Sequence, residues 1–151
     1  MCLTVVRRWR RLRPAHRWLL LESALYLIGA RLVLRIMPFR QLVWWFQRPA
    51  RQPELQGAAR QAACAEVRMA IHYTNLWLRL NAVCFPRSLA AQAMLRRRGV
   101  STTLYYGATT QADGGRLSTH VWLQDGEKGI VDHENCSQFQ ILARYSPLPP
   151  L

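Results

Sequence analysis

Residues 84–107 read CFPRSLAAQAMLRRRGVSTTLYYG, and within that stretch the chain changes from a helical to an extended pattern. Pro86 stands where a first-turn proline belongs, because its missing N–H would have had no partner there. Leu89, Ala93 and Met94 or Leu95 supply a buried stripe at helical spacing. Arg96, Arg97 and Arg98 suit the negative end of the helix dipole, and Gly99 is a natural C-cap. Cys84 therefore falls at the start of a helix that stops at Gly99. Beyond it, Ser101–Ala108 (STTLYYGA) reads as a strand, and 109–116, with Asp113-Gly114-Gly115, as a loop. STHVWLQ (118–124) and KGIVDH (128–133) read as strands joined through Asp125-Gly126-Glu127, a hairpin signal. QFQILARY (138–145) is a last strand or a short helix, and Pro147, Pro149 and Pro150 end the packed structure.

Upstream, RRWRRLR (7–13) is a basic arm, and Pro14 opens a helix of about 23 residues, since HRWLLLESALYLIGARLVLRIM has no breaker until Pro38. That helix carries more apolar residues than one face holds, so it is buried on most sides or pressed against a partner or bilayer. Residues 39–46 make a short helix with an aromatic face, read first as core packing. Residues 47–57, with two prolines, are a linker. Residues 58–80 are helical, with Val67, Ile71, Leu76, Leu78 and Leu80 as packing residues. The order predicts an α+β fold: a basic, apolar helical region over 1–57, then a core over 58–151 in which a Cys-bearing helix packs on a small antiparallel sheet.

A chain of 151 residues is one domain or one with an appendage, and its 50% hydrophobic content argues against disorder. Residues 1–100 hold 18 arginines against three acids, while residues 101–151 hold three basic residues against five acids. So basic a front half is expected to meet something anionic: nucleic acid, a membrane surface or an acidic peptide. Cys2, Cys64, Cys84 and Cys136 are too scattered for a zinc site. Glu22, Arg31 and Arg35 interrupt the longest apolar stretch, which argues against a membrane span, and no secretion signal is evident. The expectation is a cytoplasmic protein with free thiols, holding neither metal nor cofactor.

Cys84 has the placement a thiol nucleophile needs, because helix N–H groups and the dipole favour a thiolate and can stabilise an oxyanion. His120 shares a strand face with Trp122 and Gln124. A three-residue turn at Asp125-Gly126-Glu127 sets Asp132 directly opposite His120. A five-residue loop over 125–129 makes Asp132 diagonal on the same face, and a two-residue turn at Asp125-Gly126 sends it to the other face. Where the register allows, the carboxylate orients the imidazole for proton transfer with the thiol. Each residue alone also has an ordinary reading: a small buried thiol, a packed histidine and a solvated carboxylate. Cys64, Cys136, His16 and His72 have no comparable support, and His133 replaces His120 only if the register slips.

Three ordered blocks resemble the lasso peptide biosynthesis B2 proteins, leader peptidases with a transglutaminase-like (papain-like) cysteine protease core. They are the segment 84–107, THVWLQDG (119–126) beside the family's Ala-His-Ala-Trp strand, and FQILARY (139–145). The opening helical region is similar too. Thr119 and Val121 replace the family's small alanines, and Phe85 stands where leucine is common. By motif, the resemblance implies that Cys84, His120 and Asp132 are the catalytic residues. It implies hydrolysis of the leader–core amide of a ribosomal precursor peptide, without metal or nucleotide in that step. Its implied partners are the precursor leader, a small leader-recognition (B1-type) protein and an asparagine-synthetase-like cyclase, with the basic front half as docking region and a membrane surface less favoured. Two other classes compete: a non-catalytic adaptor or nucleic-acid-binding protein, disfavoured because the arginines follow no recognised nucleic-acid fold, and an acyltransferase on the same core.

Overall fold

A computed structural model describes residues 13–49, 52–80, 83–110 and 115–147. Residues 7–12 of the basic arm, the Asp113-Gly114 pair and the last two prolines lie outside the described residues. Four helices, α1 (Pro14–Ile36), α2 (Phe39–Phe46), α3 (Gly57–Trp77) and α4 (Cys84–Arg97), precede four strands, β1 (Thr103–Thr110), β2 (Leu117–Asp125), β3 (Lys128–Val131) and β4 (Gln140–Tyr145). A 3-10 turn, Cys136–Gln138, leads into β4. The strands form one antiparallel sheet in the order β3-β2-β1-β4. The fold is α+β, as the change of periodicity after Gly99 predicts.

The centre of the molecule is α4. The sequence suggests one buried stripe; instead Pro86 and every residue from Ser88 to Leu95 are buried. The sheet covers one side of α4 through Leu104, Val121, Leu123, Ile130 and Val131, and α1 and α3 cover the others. Ala90, Ala91 and Ala93 make this possible, because small side chains let neighbouring elements approach closely. On α1, Ser23, Leu27 and Ala30 face inward at helical spacing. On α3, the inward residues are Ala63, Val67, Ala70, Ile71 and Thr74. Leu76 and Leu78 are exposed rather than packed; Leu76 lies off the inward face and Leu78 follows the end of the helix. A polar seam joins the two helices, with Ser23 Oγ bonded to Thr74 Oγ1 and to the Ala70 carbonyl. In α2, the aromatic residues divide: Phe46 is buried, whereas Trp44 is 61% exposed with Arg48 stacked over it.

The end of α4 is pinned by close backbone contact. Gly99 has φ +75°, the left-handed conformation that favours glycine after a helix. A Cβ there would lie 2.3 Å from the Pro53 carbonyl oxygen. The Leu55 N–H donates to the Gly99 carbonyl at 2.8 Å, so the segment before α3 crosses the α4–β1 corner as a strap. Arg60, in the first turns of α3, binds the Asp125 carboxylate at 2.7 and 2.9 Å, Glu54 at 2.9 Å and the Ser101 carbonyl at 2.8 Å. Hydrogen bonding to Asp125, more than its bond to Glu54, holds the Arg60 guanidinium pKa above its ordinary value despite the opposing effect of burial. At the same end of α4, Glu22 of α1 accepts from Arg98.

Leu27 is fully buried where α1 meets the core. Leu27→Ala is expected to cost about 2–5 kcal/mol by leaving a cavity, read as a lower urea midpoint with an unchanged m-value. A loss below about 0.5 kcal/mol would mean that α1 does not pack as described.

Candidate active site

Cys84 is the first residue of α4 and is half-buried against the core. Its N-cap is Val83, which provides no side-chain hydrogen bond to the first turn. The N–H groups of that turn, beside the thiol, thus have no capping side chain. One turn further, Ser88 Oγ donates to the Val121 carbonyl at 3.4 Å. Arg87 Nη1 lies 3.0 Å from Asp132 Oδ1. The first turns of α4 are in this way tied to β2 beside His120 and to the residue that follows β3.

The hairpin register explains how Asp132 comes near His120. Asp125 pairs with Lys128 and Gln124 with Gly129, so the turn is Gly126-Glu127, two residues and not the three of Asp125-Gly126-Glu127. Gly126 has φ +58° at the first central position, as a type II′ turn requires. That register alone would turn Asp132 away from His120. An irregularity between Leu123 and Gln124 shifts the pairing by one residue, so that Leu123 meets Val131. Position 132 then falls diagonal to His120 on its side of the sheet.

His120 and Asp132 meet, but through the backbone. His120 Nε2 lies 2.7 Å from the Asp132 carbonyl oxygen, while the Asp132 carboxylate turns to Arg87. Asp132 has φ +55°, which Asp tolerates better than most residues, and this conformation accompanies the carbonyl on the ring. A carbonyl can only accept. Nε2 therefore carries the proton, and Nδ1 keeps the lone pair of a base. Burial raises the Asp132 carboxyl pKa above its ordinary value, outweighing the opposing charges of Arg87 and His120. Asp132 Oδ2 and Arg87 Nε are both buried without a hydrogen-bond partner.

Aromatic rings fix the imidazole. Phe139 stacks on it with centroids 4.9 Å apart, and Trp122 lies at 5.8 Å. Tyr105 stacks on Trp122 almost in parallel, at 5.5 Å and 7°. Gly107, directly across from His120 in β1, makes room: a Cβ there would come within 2.9 Å of the Trp122 ring and 3.0 Å of Phe139. Among the described residues, no hydrogen bond joins the thiol of Cys84 to His120, the pair the sequence suggests as nucleophile and base. Apo sites often hold such pairs apart until substrate binds.

The other candidates are elsewhere. Cys64 sits beside Arg60 and Asp125, where burial first and Asp125 second raise its pKa, the wrong direction for a thiolate. His16 and His72 are exposed on α1 and α3. His133 packs over Gly129, whose missing Cβ would otherwise strike its ring. Arg87 and Phe139 belong to the site and were not singled out by the sequence. A charged residue within the first turns of an otherwise apolar helix was the available signal for Arg87, and an aromatic residue at the mouth of β4 for Phe139. Among the described residues, no three His, Cys, Asp or Glu side chains cluster so as to hold a metal ion.

The transglutaminase-like superfamily model matches residues 24–144, from α1 into β4, and the chain belongs to that superfamily. Catalysis in this superfamily generally depends on a cysteine. No match is found among curated proteins or among solved structures.

Because the folded-state pKa of Asp132 is raised, folding favours its protonated form. The stabilising contribution is complete below the ordinary carboxylate pKa of about 3.9 and is lost as pH rises through the raised value. The stability of the wild type relative to Asp132→Asn, taken from urea midpoints, should therefore fall as pH is increased from that range. A difference that grows with pH would mean that the Arg87 ion pair outweighs burial.

Proposed function

We propose that this member of the transglutaminase-like superfamily is a cysteine peptidase that hydrolyses the leader–core amide of a ribosomally made lasso precursor peptide. One observation carries the reading. Cys84 opens a buried helix in which Arg87 and Ser88, three and four residues further on, bond to Asp132 and to the strand residue beside His120. The lasso B2 resemblance of segments 84–107, 119–126 and 139–145 supplies the substrate class.

In the proposed reaction, His120 Nδ1 takes the Cys84 thiol proton, and the thiolate attacks the carbonyl carbon of the leader–core amide. The uncapped N–H groups at the start of α4 stabilise the oxyanion. As the C–N bond breaks, the imidazolium returns its proton to the departing core amine, leaving the leader as a thioester on Cys84. The imidazole then deprotonates water, whose oxygen attacks the thioester carbon; the C–S bond breaks, the imidazolium returns its proton to the Cys84 sulfur, and the leader leaves with a free carboxylate. Asp132 keeps the ring in its Nε2–H form throughout. No step needs a metal or a nucleotide.

The test uses the full chain with a precursor and its recognition protein. Cys84→Ala should reduce cleavage on the order of 10⁴-fold or more. Undiminished cleavage would sink the proposal. In ¹⁸O water, hydrolysis puts one labelled oxygen into the leader carboxylate, whereas a new amide identifies acyl transfer, which superfamily membership equally accommodates.

The partners in this reading dock on the outward face of α1. Trp18, Leu21, Leu25, Ile28, Leu32 and Ile36 are exposed there at coiled-coil-like spacing, Trp18 to 72%. Beside them, an apolar groove of about 320 Å³ opens between α1, α2 and α4, lined by Tyr26, Val33, Met37 and Trp45 among others. The docked partner is the recognition protein or the cyclase. Among the described residues, no helix is long and apolar enough to cross a membrane. Trp18→Ser combined with Leu25→Ser should weaken the complex by about tenfold or more in titration calorimetry. Loss of binding to anionic vesicles, with protein binding unchanged, would assign the face to a lipid surface instead.

A further inference from the structure

We propose that Arg87 is a positioning residue for His120, acting through the backbone of Asp132. The proposal rests on the assignment of Cys84 and His120 as nucleophile and base, and it concerns what fixes the base. Three contacts form a chain: Arg87 Nη1 to Asp132 Oδ1 at 3.0 Å, the left-handed Asp132 backbone at φ +55°, and the Asp132 carbonyl to His120 Nε2 at 2.7 Å.

The left-handed conformation costs energy in a non-glycine residue and persists where surroundings over-determine it. Asp132 lies just past β3, where ladder hydrogen bonds no longer hold the backbone. Its side chain is 11% exposed and that of Arg87 26%. The ion pair is therefore well shielded from solvent and anchors residue 132 to α4, which is buried from Ser88 to Leu95. With the carboxylate held by the helix, the carbonyl is the Asp132 group left to meet the ring. The arrangement thus separates two tasks in one residue. The side chain fixes the backbone, and the backbone oxygen selects the tautomer. Arg87 also ties that choice to Cys84, because both are fixed by the first turns of the same helix.

The role assigned to the carboxylate has a direct consequence. If the carboxylate itself stood behind the ring, Asp132→Asn would favour the wrong tautomer, with a loss of about 10⁴-fold by analogy with serine proteases. If the carbonyl does so, Asn keeps the carbonyl, tolerates the left-handed backbone and offers its amide oxygen to Arg87. The loss should then stay within about tenfold.

The experiment reads the His120 tautomer in the ¹⁵N-labelled full chain by long-range ¹H–¹⁵N correlation, at a pH where the ring is neutral. It is combined with kcat and KM for precursor cleavage. The wild type and Asp132→Asn should show a single Nε2–H tautomer. Arg87→Met should show mixed tautomers and a kcat reduced about 10- to 100-fold with KM nearly unchanged, and Arg87→Lys should recover part of both. Should Arg87→Met fail to fold by circular dichroism, Arg87→Gln, which keeps a donor without the charge, is read in the same way. A single Nε2–H tautomer retained without Arg87, or lost in Asp132→Asn, overturns the proposal. The tautomer is read without substrate. A failure here is thus separate from a failure of the peptidase reading, which Cys84→Ala tests.

Discussion

The fold depends on α4 having no solvent face. A helix buried from Ser88 to Leu95 must be covered on all sides, and no single layer can do that. The sheet takes one side and the α1–α3 pair takes the rest. That cover also fixes the ends of α4 in space. At one end lies Cys84, which cannot drift without moving a core in which Leu27, Val67, Met94 and Leu123 all take part. A side chain on such an element is held by the stability of the whole molecule.

The sheet serves two surfaces with opposite demands. Val121 and Leu123 face the helices, whereas His120 and Trp122 face the aromatic layer of Tyr105 and Phe139. Alternation along one strand thus joins packing and chemistry, and Val121 and His120 are neighbours for that reason. Gly107 gives the second layer its depth. With a side chain at 107, the Trp122 ring and the Phe139 Cβ could not come so close to the strand opposite the histidine.

Much of this was legible because it is local. Pro14, Pro38, Pro86 and Gly99 punctuate the helices with residues whose backbone restrictions act at one position, and α1, α2 and α4 begin or end where they indicate. The strand faces followed from alternation. Less local features were hidden. Three alanines in α4 look like ordinary helix formers until α1 is placed against them. Leu76 and Leu78 are apolar in sequence, but Leu76 lies off the inward face of α3 and Leu78 lies past its end. Turn length and register were open in the sequence: the turn is the two residues Gly126-Glu127, and a bulge returns Asp132 to the side of His120, neither of which is visible without the partner strand. The sequence pointed to Asp132, but not to its backbone oxygen as the atom that meets the ring, because only the three-dimensional path brings Arg87 to its carboxylate.

The strap over residues 53–55 has a consequence for how the chain would respond to being cut. Its composition is that of a disposable linker, with Pro49 and Pro53 in a polar run. Yet Leu55 donates to Gly99, Glu54 accepts from Arg60, and Arg60 reaches on to Ser101 and Asp125. A protease that nicked the chain just ahead of the strap would leave a fragment carrying α1 and α2 and a fragment carrying α3, α4 and the sheet, still buried in one another through Leu27 and α4. The severed pair would therefore remain a complex held by its shared core, and the covalent connection there contributes proximity more than it contributes structure.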